Sequence, residues 1–158
     1  MFFDLQKRIV RKFITLKHYN VLRLALDRII IHNAIFPNAY MRVTGFGRDE
    51  DGQFGILIEQ PYIEGHAVSE DERAIFMLQL GFKEAGEDYG MHLNYMTDFL
   101  YIGDINEYNV LKHANGAIFV FDCDCRLNVP TLGCGGSWSI PPVSIDFTKP
   151  CRIFAPMK

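Results

Sequence analysis

The strongest constraint in this chain is a single hairpin signal near its C-terminal third. Val110-Leu111-Lys112-His113 reads as a short strand and Ala117-Ile118-Phe119-Val120-Phe121 as its partner, with Asn115-Gly116 between them. Asn-Gly flanked by apolar runs is a strong local signal for a reversing turn. A hairpin brings its two ends together, so Asn109, before the first strand, should lie close to Asp122, after the second. Asp104 stands five residues before Asn109 and can reach the same place. Oxygen donors of this kind suit a hard divalent cation such as Mg²⁺, which keeps waters and shares phosphate oxygens. The remaining aspartate can accept a proton from an attacking hydroxyl. The competing reading is that all three are turn formers flanking the hairpin.

The rest of the chain supplies elements for this hairpin to pack against. Residues 9–16 fit a strand, with Val10, Lys12, Ile14 and Leu16 on one face. They also fit a helix, and periodicity does not separate the two. Asn20 can cap a helix from Val21 to about Phe36, with Leu22, Leu26, Ile29 and Ile30 as its apolar stripe and Pro37 as its stop. Residues 40–46 and 53–58 read as a second hairpin around Asp49-Glu50-Asp51-Gly52, and Glu59-Gln60-Pro61-Tyr62 ends its pairing. Ser69-Glu70-Asp71-Glu72 is a capping box for a helix to about Leu80, with Gly81 as its stop. Short strands are expected within 82–102. The tail from Pro130 holds five of the seven prolines and reads as an irregular wrap. The 158 residues suit one α+β domain.

Composition narrows the functional classes. A formal charge of −3 speaks against a general nucleic-acid binder, although Lys7, Arg8, Arg11, Lys12 and Lys17 face only Asp4 in the first 17 residues. No apolar run reaches the ~18 residues of a membrane helix, and the start lacks the order of a secretory signal. A cytoplasmic protein with reduced thiols is expected. Cys123, Cys125, Cys134 and Cys151 lack the paired-knuckle spacing of a zinc site, so apolar fillers are the simpler reading. Gly133-Cys134-Gly135-Gly136-Ser137 reads as a turn rather than a phosphate nest. His32 is read as satisfying last-turn carbonyls of its helix.

Against this background, Gly103-Asp104-Ile105-Asn106-Glu107-Tyr108-Asn109 resembles the catalytic loop of protein kinases, whose Asp and Asn have this separation. Phe121-Asp122-Cys123 resembles the position of the metal-binding Asp. Ile9-Val10-Arg11-Lys12 resembles the strand with the phosphate-pairing Lys, and Glu59-Gln60-Pro61-Tyr62 the hinge. The order fits over residues 9–128. With Ile30-Ile31-His32-Asn33-Ala34-Ile35-Phe36-Pro37 and Gly45-Phe46-Gly47, the chain is most similar to the compact serine/threonine/tyrosine kinase-like domain of polyvalent proteins, found in phages and conjugative elements of Bacteroides-type bacteria.

The resemblance implies a kinase-like α+β fold with a small antiparallel sheet, a few helices and a reduced C-terminal lobe. It implies Mg²⁺ and ATP as cofactors. Asp104 would be the catalytic base, Lys12 would pair with phosphates, Glu59 and Tyr62 would border the adenine, and Asn109 and Asp122 would hold the metal. The departures are specific. Eleven residues precede Lys12, so the strands and glycine-rich loop that would cover the phosphates are expected to be missing. The regulatory helix offers Asp27 and no Glu. Nothing after Asp122 resembles an activation segment. The alternative is a catalytically dead, kinase-derived interaction module with an unknown protein partner or a second copy of itself; a small zinc adaptor is a third class.

Overall fold

The computed structural model describes residues 2–19, 21–86 and 94–128. Asn20, residues 87–93 and the tail with Cys134, Cys151 and Gly133–Ser137 lie outside the described residues. The described chain is α+β, with two α-helices and three small antiparallel sheets.

Residues 9–15 resolve as strand rather than helix. In the first sheet β1 (Phe2–Asp4), β2 (Ile9–Thr15), β4 (Phe54–Pro61) and β3 (Arg42–Arg48) lie in that order. Directly opposite residues share a face. Lys12 opposes Ile58 and Ile14 opposes Ile56, while Arg11 opposes Glu59. The inner face therefore carries Val10, Lys12, Ile14, Ile56 and Ile58, and the outer face carries Arg11, Phe13 and Glu59. Helix α1 (Leu22–Ile35) covers the inner face with Ala25 and Ile29, and Ile56 and Ile58 are fully buried there. Burying each such isoleucine contributes about 1.5–3 kcal/mol.

Three sequence expectations are met in part. A three-residue strand, β1, does precede Lys12; Asp4 Oδ1 accepts from the Lys7 amide and Arg8 takes φ +51°, which turns the chain back into β2. Of the expected stripe of α1, Leu22, Leu26 and Ile29 pack toward the sheet, beside the buried Ala25 and His32, while Ile30 is exposed because it projects off that face. Strand β4 runs past residue 58 through Glu59 and Gln60, and its pairing ends at Pro61 as the missing amide predicts. The helix itself ends where Pro37 predicts, with the Phe36 amide donating to His32 O.

Helix α2 (Glu70–Gln79) follows β5 (His66–Ala67). Ser69 Oγ accepts from the Glu72 amide, and Gly81 at φ +87° ends it. The second sheet orders β10 (Ile118–Val120), β9 (Val110–Lys112) and β5; the third orders β11 (Asp124–Leu127), β8 (Leu100–Gly103), β7 (Tyr95–Met96) and β6 (Lys83–Glu84). Their common core holds Met77, Tyr95, Ile102, Ile105, Val110, Val120, Cys123 and Cys125. The Asn115-Gly116 hairpin forms: Lys112 opposes Ile118, the His113 amide donates to Ala117 O at 2.9 Å, and Gly116 supplies the φ of +87° in the loop between them. No helix among the described residues is long and apolar enough to cross a membrane.

Candidate functional site

Two ladders meet at residues 121–123. Gly103 opposes Asp124 across β8 and β11, and Val110 opposes Val120 across β9 and β10. The Phe121 amide extends the second ladder by donating to Asn109 O at 2.7 Å. Asp104 thus leaves the end of β8 and Asn109 enters the start of β9, each beside the crossing from β10 to β11. Asp104 and Asp122 have φ of +63° and +39°. The left-handed region is sterically costly for most side chains, and Asp is among the few that enter it readily.

Asp104 and Asn109 are in direct contact. Asn109 Nδ2 donates to Asp104 O at 3.0 Å and to Asp104 Oδ2 at 2.9 Å. Asn106 Nδ2 donates to Asp104 Oδ1 at 2.5 Å, while Asn106 Oδ1 accepts from the amides of Tyr108 and Asn109. The Asp104 amide donates to Asn94 Oδ1 at 3.3 Å. Both carboxylate oxygens are therefore oriented by neutral amides, which fixes the group without cancelling its charge. A carboxylate held in this way is suited to receive a proton at a defined position.

Lys12 and Asp122 are brought together across 110 residues of sequence. Lys12 Nζ donates to Asp122 Oδ2 at 2.7 Å, with side-chain exposures of 12% and 36%. Helix α1 reaches the same segment through Arg28, whose Nη2 donates to Asp122 O at 2.5 Å and Nε to Cys123 O at 2.8 Å. Its Nη1 donates to the Tyr19 hydroxyl. Burial opposes the charge on Arg28, but Tyr19, Cys123 and Asp122 together outweigh it and its pKa is raised. Arg28 and Tyr19 were not among the residues singled out from the sequence. The available signal was an arginine beside the Ala25, Ile29 and His32 stripe, where a solvated side chain has no room.

The other singled-out residues lie elsewhere. Glu59 sits on the outer face, opposite to Lys12, where Arg42 and Arg11 bind its two carboxylate oxygens; these bonds hold its pKa below the usual value. The Tyr62 ring packs edge-on against Phe3 and its amide donates to Arg8 O. Asp27 pairs with Arg23 one turn away on α1. His32 is buried and its Nε2 donates to Val120 O at 3.1 Å, so it reaches β10 instead of the last carbonyls of its own helix; burial lowers its pKa. Cys123 and Cys125 are buried thiols with their sulfurs 3.3 Å apart, and the contact with Cys125 together with burial raises the Cys123 pKa. No group of three His, Cys, Asp or Glu side chains that could hold a metal occurs among the described residues.

The Lys12–Asp122 pair and the Asp104–Asn109 cluster are thus two bonded groups, joined through the Phe121 amide on Asn109 O. The family model described as serine/threonine/tyrosine kinase found in polyvalent proteins matches residues 2–129. The chain belongs to this family. No curated protein and no solved structure matches it.

Proposed function

We propose that this chain is a kinase-like domain of a mobile-element protein that binds Mg-ATP and passes its terminal phosphoryl group to a hydroxyl. The observation that carries this reading is the Lys12–Asp122 contact. It ties the first sheet to the hairpin end beside which Asp104 and Asn109 stand, and so supports one site built from both. The donor set fits the cofactor. Asp122 and Asn109 offer hard oxygens for Mg²⁺, and Asn109 would use Oδ1, because Nδ2 is donated to Asp104.

Bound Mg-ATP would supply the electrophilic phosphoryl group. Lys12 would turn from Asp122 toward phosphate oxygens. Asp104, oriented by Asn106 and Asn109, would take the proton from the incoming hydroxyl. Residues 59–62 would border the adenine; since the Glu59 carboxylate is held by Arg11 and Arg42, that contact would fall to the main chain and Tyr62. The domain would span residues 1–158.

A second reading, a catalytically dead interaction module with an unknown protein partner, is favoured by a specific observation. The Lys12 and Asp122 charges satisfy each other, and each Asp104 carboxylate oxygen accepts a hydrogen bond within its own loop. Titrating ATP with and without Mg²⁺ while following thermal unfolding separates the two. A ligand at a hundredfold its Kd stabilises by about 2.7 kcal/mol. A Mg²⁺-dependent rise in Tm, lost in Asp122→Ala, is the expected result. No shift at millimolar ATP would reject nucleotide binding and leave the interaction module.

A further inference from the structure

Arg28 lies outside the kinase-like motifs, yet it makes the most direct link between α1 and the site. Its planar fork takes the carbonyls of two consecutive residues, Asp122 and Cys123, and the Tyr19 hydroxyl. A guanidinium presents its donors in fixed relative directions. Two carbonyls bound to one such group cannot rotate independently, so both peptide units after Asp122 are set in orientation. Asp122 is the residue that needs this. Its φ of +39° lies in the left-handed region, which Asp enters more readily than most residues but which is not its preferred conformation, so contacts on the following peptides help to hold it. Rotation there would swing the carboxylate away from Lys12. The acid on α1, Asp27, is turned to Arg23 and gives Lys12 no partner.

We propose that Arg28 is a positioning residue for Asp122: helix α1 organises the site by gripping the main chain of the metal-side segment through a cation, in place of an acid-to-lysine contact. What Asp122 is positioned for rests on the Mg-nucleotide reading; the grip itself does not. Because Arg28 touches carbonyl oxygens and leaves the Asp122 carboxylate alone, it leaves that carboxylate available to a cation. Its positive charge also lies beside the segment without competing with Lys12 for the same atoms.

The test uses Arg28→Met, which keeps length and loses the fork, and Arg28→Lys, which keeps charge and loses the fork. Nucleotide affinity is measured with ATP alone and with Mg-ATP. Loosening a group that orients a metal ligand costs about 10- to 100-fold in metal affinity. The Mg²⁺-dependent gain in affinity should fall by that factor in both variants, with affinity for ATP alone little changed, since Lys12 stays on β2. Equal losses with and without Mg²⁺ would mark Arg28 as merely structural and overturn the proposal. If Arg28→Met does not fold, Arg28→Lys decides.

Amide hydrogen exchange distinguishes failure of the proposal from failure of the nucleotide reading. Faster exchange confined to residues 121–125 in the variants, with β2 and β4 unchanged, supports the grip; no change, or a uniform rise, overturns it. A wild-type protein without Mg²⁺-dependent binding overturns the nucleotide reading, and the grip then stands or falls on exchange alone.

Discussion

Replacing Lys12 by methionine and Asp122 by asparagine, singly and together, should give a pronounced asymmetry. At 2.7 Å the gross attraction of two unit charges is about 6 kcal/mol at an effective dielectric of about 20. Desolvation offsets most of it, and water reaches Asp122, which is 36% exposed against 12% for Lys12. A net coupling of about 1–2 kcal/mol remains. The singles differ because of what each leaves behind. Lys12→Met leaves a carboxylate that water can solvate and puts an apolar chain beside Ile58 and Val10, so it should cost about 1 kcal/mol. Asp122→Asn leaves an ammonium on the apolar inner face, and should cost about 2–3 kcal/mol. Asparagine is chosen because it tolerates the left-handed backbone as aspartate does, so the loss reports the charge. The double variant should cost about 2 kcal/mol, less than the sum. Urea unfolding gives all three values, and each kcal/mol corresponds to about 2–4 °C in Tm for a chain of this size. The reasoning is refuted if Lys12→Met costs more than Asp122→Asn, or if the two losses simply add.

Other positions give independent checks. A Cβ at Gly55 would lie 2.5 Å from the Phe13 ring and 2.6 Å from Ile14 O. Gly55→Ala should therefore destabilise by about 1–3 kcal/mol in denaturant titration, and Phe13→Ala should not restore it, since the Ile14 carbonyl is main chain. Ser69→Ala removes the acceptor for the Glu72 amide and should cost about 1 kcal/mol, with loss of helicity confined to α2. Burial holds the His32 pKa below its ordinary 6.5. Its contribution is complete above pH 6.5 and is lost as pH falls below that value, because the unfolded chain takes up the proton first. His32→Gln should flatten the stability profile below about pH 6.5 relative to wild type.

What the sequence disclosed was local. The α2 cap and stop were legible because Ser69, Glu72 and Gly81 act within one turn of their positions. The 110–120 hairpin was legible for the same reason, and its loop over residues 114–116 as well, since the His113 amide donates to Ala117 O and Gly116 takes the positive φ. The Lys12–Asp122 contact joins residues 110 apart, and no periodicity carries that; only likeness to a family motif placed the two in one site. Glu59 illustrates the opposite difficulty. Strand alternation puts neighbouring residues on opposite faces, but which face holds the core follows from the register of β2 against β4, and that is fixed by partners far along the chain. Arg28 escaped notice because a charged helix residue defaults to solvent, and its carbonyl partners lie 94 and 95 residues away.

The crossing at residues 121–123 is fastened from three directions, by β9, by β8 and by α1. The groups suited to chemistry there are the same groups that close the protein. Drift that erased Asp122, Asn109 or Lys12 would cost stability as well as a polar group, so selection for folding alone would tend to retain them. Selection for the fold alone therefore preserves this constellation of side chains, whatever use is made of it.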